Sequence, residues 1–92
     1  MIRCFRCAHT RRLFETGRSR HFAGIARIAT RKLAQLDAAI TLDFLRATPG
    51  NRLEKLSGDR AGEYSIRVND QFRICFVCTE LGPEQVEIVD YH

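Results

Sequence analysis

The sequence predicts an α+β domain: an antiparallel sheet with helices packed on one face. Apolar residues in the first half recur at three- and four-residue spacing. After Pro49-Gly50 the period changes to strict alternation. Short helices followed by a meander of strands give that architecture.

Residues 2–5 are apolar at both ends and read as a short first strand. Residues 8–15 form a short helix, with Leu13 and Phe14 as its apolar contacts and Gly17 as its stop. Residues 22–40 carry Ile25, Ile28, Ala29, Leu33, Leu36 and Ile40 on one stripe, while Arg27, Arg31, Lys32 and Gln35 fill the other faces. Thr41 caps a further turn that carries Leu42 and Leu45. Pro49-Gly50 ends the helical region. Residues 53–56 make a short strand, and residues 57–62 a turn. Tyr64, Ile66 and Val68 alternate with polar residues, as Phe72, Ile74 and Phe76 do with Arg73, Cys75 and Val77. Gly82-Pro83 is read as a turn, and residues 86–89 as the last strand.

The hairpin register can be read directly. With Asn69-Asp70-Gln71 as the loop, Val68 faces Phe72, Ile66 faces Ile74 and Tyr64 faces Phe76. A slip of one residue would scramble this apolar face. The same register sets Arg67 opposite Arg73 and Ser65 opposite Cys75 on the other face. Two facing arginines repel. Either Glu63 or Glu87 offsets them, or a bound phosphate does, since guanidinium forks match phosphate oxygens.

A chain of 92 residues is expected to be a single domain, 1–92. With 45% hydrophobic and 28% charged residues, the composition speaks against disorder. No apolar run approaches the ~20 residues of a membrane span, and the start lacks a signal-peptide core, so a cytoplasmic setting is expected. Residues 1–32 carry nine Arg/Lys against Glu15 alone, whereas residues 33–92 carry six against ten Asp/Glu. That basic block suits a polyanion or an acidic partner, or is a solvated helix face. The cysteines fall as Cys4-x-x-Cys7 and Cys75-x-x-Cys78. Cys75 and Cys78 lie three apart in a strand and so point to opposite faces, which disfavours a shared zinc. They are read as small buried or half-buried hydrophobes. His9 and His21 are read as surface residues. The chain ends in Asp90-Tyr91-His92 on the last strand, and His92 is the group there that changes charge near neutral pH.

These segments together resemble a known family. They are Pro49-Gly50-Asn51-Arg52-Leu53-Glu54, Leu56, Gly58-Asp59-Arg60-Ala61-Gly62, the run from Tyr64 to Phe76, and Val89-Asp90-Tyr91-His92. Met1-Ile2-Arg3 and Leu33-x-x-Leu36-Asp37-Ala38-Ala39 agree with it. The chain resembles the HigB toxins of the RelE/ParE superfamily of bacterial type II toxin–antitoxin systems, and among them the GraT-like branch. The resemblance implies a RelE-like fold, a small twisted antiparallel β-sheet packed against N-terminal helices. It implies an mRNA interferase, an endoribonuclease that enters the ribosomal A site and cuts the message. It further implies a HigA-type helix-turn-helix antitoxin, with operator DNA reached only through the toxin–antitoxin complex. No metal or other cofactor is expected.

RNA cleavage by 2′-hydroxyl attack needs a base, cations for the phosphorane, and an acid for the leaving oxygen. By the likeness, Arg73 is the phosphate-stabilising cation. Asp90, Tyr91 and His92 form the catalytic cluster. His92 is the best candidate for proton transfer, Asp90 orients it or acts as base, and Tyr91 stacks on a base or donates its proton. Arg67, Arg60, Lys55 and Arg52 are the expected phosphate contacts. HigB members often carry a His and a Lys before the Gly-Asp turn, where this chain has Glu54 and Ser57. That departure keeps open a non-cleaving ribosome- or RNA-binding inhibitor. A ParE-like gyrase poison is the other alternative, and the terminal Asp-Tyr-His argues against it.

Overall fold

The computed structural model describes residues 1–90. Helix α1 (Ala8–Thr16) stops where expected: Gly17 turns left-handed (φ 74°) and its N–H donates to Leu13 O at 2.8 Å. A single 3₁₀ turn, Ala23–Ile25, leads into α2 (Ala26–Ala38). Thr41 caps α3 (Leu42–Ala47), its hydroxyl accepting from Phe44 N at 3.2 Å.

The expected stripe on α2 is too long. Ile25, Ala29, Leu33 and Leu36 enter the core, but Ile28 is exposed. The helix stops at Ala38 because Ala39 is extended (φ −68°, ψ 129°), which leaves Ile40 95% exposed. Lys32, expected on a polar face, is instead buried. His9 and His21 are exposed but pair with each other, their rings stacked at 4.2 Å and both edge-on to Phe22.

Among the described residues four strands form one antiparallel sheet in the order β1-β2-β3-β4: β1 (Glu54–Lys55), β2 (Glu63–Arg67), β3 (Phe72–Thr79) and β4 (Gly82–Asp90). The β2–β3 register is the expected one, with Ile66 facing Ile74 and Arg67 facing Arg73. Asn69 shapes the loop, its Oδ1 accepting from Gln71 N (2.9 Å) and Phe72 N (2.8 Å). Residues 57–62 turn through the short 3₁₀ segment Gly58–Arg60. Ile66, Ile74, Phe76, Val86 and Ile88 pack against α1, α2 and α3, which is the α+β, RelE-like arrangement.

The last strand is longer than expected. Gly82 and Pro83 open β4, facing Thr79 and Cys78, so the turn falls at Glu80 and Leu81. A proline is tolerated at a strand's start, where no ladder bond needs its missing N–H. One extra residue bulges β4 between its pairings of Val77 with Glu84 and of Cys75 with Glu87, where Gln85 has φ 53°. Residues 2–5 do not form a full strand: the segment runs parallel to β4 and makes one bridge, Phe5 to Val86. Arg3 N donates to Pro83 O (2.7 Å), Val86 N to Cys4 O (3.2 Å) and Arg6 N to Val86 O (3.0 Å). The bulge breaks the regular ladder that a longer strand would need. Cys75 is buried and Cys78 is exposed, so Cys78 is not the half-buried hydrophobe expected.

Candidate active site

The sheet face away from the helices is polar. By register it carries Glu63, Ser65 and Arg67 of β2, Arg73 and Cys75 of β3, and Glu87 of β4. Among the described residues the facing arginines find partners other than Glu63 and Glu87. Arg73 is 8% exposed. Its Nε donates to Ser65 Oγ at 2.7 Å, and its Nη2 to Arg52 O at 2.6 Å and to Ser65 O at 3.2 Å. Glu54 Oε1 stands 3.9 Å from its Nη1. Arg67 pairs with Asp70 of the hairpin loop. Both carboxylates are mostly solvent-exposed, so they screen the arginines weakly.

Glu63 and Glu87 serve other cations. Arg60 reaches Glu63 Oε1 at 3.1 Å and Glu87 Oε1 at 2.7 Å, and Arg6 reaches Glu87 Oε1 at 3.1 Å. The hydrogen bond to Glu87 holds the Arg60 proton more firmly than usual. Cys75 lies buried within range of these charges, and burial pushes its thiol pKa up, so it stays protonated and inert.

Arg52, Arg67 and Arg73 line one open cleft of about 250 Å³ together with Glu54, Asn69 and Asp70. Arg52 has a left-handed backbone (φ 45°), and its carbonyl accepts from Arg73. Three of the expected phosphate-handling residues therefore meet. Lys55 does not join them: it pairs with Tyr64, on the helix-facing side of the sheet. Arg60 is on the polar face but is committed to Glu63 and Glu87. Asp90 ends the described part of β4 opposite Phe72, next to Val89, which faces Arg73. Gln71 Nε2 donates to Asp90 Oδ2 at 3.0 Å. Tyr91 and His92, expected to complete the cluster, lie outside the described residues.

Two supporting residues are not singled out by the sequence. Ser65 stands opposite Cys75, and that register already makes it a diagonal neighbour of Arg73. Asn51 is fully buried, its carbonyl accepting from Arg67 N at 2.6 Å, and although it lies in a segment that carries the family resemblance, nothing in its spacing or polarity assigns it that role.

The family model described as the RelE-like toxin of type II toxin–antitoxin system HigB matches residues 3–92. This chain belongs to that family. Toxin HigB-1 of Vibrio cholerae serotype O1 is 54% identical over 46 residues. That match covers 50% of this chain and 48% of the relative, so it spans about half the length of each. In this HigB-like toxin the cleft arginines come from the loop before β1, from β2 and from β3. No helix among the described residues is long and apolar enough to cross a membrane.

Proposed function

We propose that this HigB-like toxin is an endoribonuclease that cuts mRNA in the ribosomal A site, with the arginine cleft as its phosphate site. The observation that carries this reading is the setting of Arg73. Its guanidinium is desolvated and tethered by a serine and two backbone carbonyls, at the sheet end to which β4 brings Asp90. A cation held in this way meets phosphorane charge without reorganising, and in a drier setting each charge counts for more. Arg52 and Arg67 on the same cleft would hold the scissile or flanking phosphates.

By family likeness, His92 moves the proton, Asp90 orients it or acts as base, and Tyr91 stacks on a base or protonates the leaving oxygen. Arg60 and Lys55 fit the role of phosphate contacts less well, given their places in the fold. A HigA-type antitoxin would neutralise the toxin and carry it to operator DNA, all in the cytoplasm. The test is expression of Arg73→Ala and His92→Ala, with message breaks mapped on ribosomes. Cleavage should fall by about 10²-fold or more in each variant, with growth restored and antitoxin still bound. Undiminished toxicity in both variants would overturn the assignment.

One observation favours a second reading, a non-cleaving inhibitor bound to RNA or the ribosome: Glu54 places a negative charge 3.9 Å from Arg73, inside the phosphate cleft. Growth arrest with intact ribosome-bound message would establish that reading.

A further inference from the structure

We propose that Lys32 is a positioning residue for the arginine cleft, acting through Asn51 on both Arg67 and Arg73. The proposal rests on reading that cleft as the RNA-phosphate site. Lys32 sits on α2 and is only 8% exposed. Lysine is almost never fully buried without a counter-charge. Among the described residues no carboxylate lies within 4.0 Å of its ammonium. Burial first, then the like charges of Arg31 and Arg67, push its pKa down. An apolar side chain would pack there at less cost.

What the ammonium does is hold one atom. Lys32 Nζ donates to Asn51 Oδ1 at 2.6 Å. Asn51 is fixed on every side: Nδ2 donates to Leu45 O (3.2 Å), the backbone N–H to Thr48 O (3.3 Å), and the carbonyl accepts from Arg67 N (2.6 Å). One residue on, Arg52 turns left-handed and its carbonyl accepts from Arg73 Nη2 at 2.6 Å. A single side-chain bond from α2 therefore fixes the loop that sets both cleft arginines. Nothing else from α2 is bonded to Asn51 or Arg52 among the described residues. Misplacing such groups by an ångström can cost about a hundredfold in rate.

The test uses the full chain and first reads the arginines themselves. In Lys32→Met, water exchange should quicken about tenfold at the Arg67 amide and at Arg73 Nε–H, as expected for local opening. The Gly17 amide, bonded to Leu13 O on α1, should keep its rate. Lys32→Arg keeps a donor and should stay within about threefold of the native chain at all three sites. Unchanged exchange at Arg67 and Arg73, or equal quickening at Gly17, overturns the proposal. If Lys32→Met does not fold, Lys32→Gln, one bond shorter and still polar, takes its place with the same outcomes.

The second measurement is message cleavage. Turnover should drop about tenfold in Lys32→Met with KM within about twofold, and should drop no further when Lys32→Met is added to a chain that carries both Arg67→Lys and Arg73→Lys. A loss that multiplies in both backgrounds marks a general folding defect and counts against positioning. A native chain that cuts nothing defeats the functional reading, while the exchange result still decides the role of Lys32.

Discussion

Thr10 supports the end of β4 that carries Asp90, and its hydroxyl can be removed almost without changing shape. β4 is the outer strand of the sheet, so its outward amides need partners from elsewhere. Val86 N donates to Cys4 O, and two residues on, Ile88 N donates to Thr10 Oγ1 at 3.0 Å. Thr10 is fully buried. Thr10→Val keeps the volume and deletes the acceptor, leaving a buried N–H without a partner at a cost of about 1–3 kcal/mol. The added methyl returns a little, so the net loss should be about 2 kcal/mol. For a domain of this size each kcal/mol moves Tm by roughly 4–8 °C, which gives a fall of roughly 8–16 °C. Urea and thermal unfolding by circular dichroism measure both quantities. Thr10→Ser keeps the oxygen and should lose only about 1 kcal/mol for the missing methyl. A Thr10→Val chain within about 0.5 kcal/mol of the native one would refute the argument, because it would mean that the Ile88 amide needs no acceptor there.

Arg60→Ala should cost about 1–2 kcal/mol, because Glu63 and Glu87 would keep Arg6 alone, and solvent screening at the 32% exposed Arg60 side chain holds the loss to that range. Its effect on message cleavage should vanish once rates are corrected for the folded fraction, and a residual loss above about tenfold would make Arg60 a phosphate contact after all. Cys75 gives an alkaline signature. Its folded pKa lies above the ordinary 9.0, so the unfolded chain loses this proton first and stability from this group falls as pH rises above about 9. Cys75→Ala should flatten that slope in Tm measured between about pH 8 and pH 10.5, and an unchanged slope would remove Cys75 as its source.

The hairpin is legible because six apolar residues share one period, and only one register puts them all inside. That register also sets Arg67 against Arg73, and this pairing of like charges is what draws the eye to the site. Glu63 and Glu87 are recognisable as partners for arginines, but they serve Arg60 and Arg6 rather than the facing pair. Alternation along strands does not say how the Gly58–Arg60 turn folds back over the sheet. Lys32 is unreadable for a related reason: helical spacing sorts residues by polarity, and a buried amine fixed by one amide oxygen breaks that sorting. Arg52 holds Arg73 through its carbonyl, a group that every residue carries, so no side-chain pattern announces it.

Pairing the opening segment with β4 sets when the molecule can be finished. Arg3 and Arg6 find their acceptors at Pro83 and Val86, some eighty positions later in translation. Closing so long a loop is entropically slow, and nothing made earlier can substitute for the missing edge. The free edge of the sheet is therefore closed only after β4 has been synthesised, and the opening segment waits through the whole of that interval.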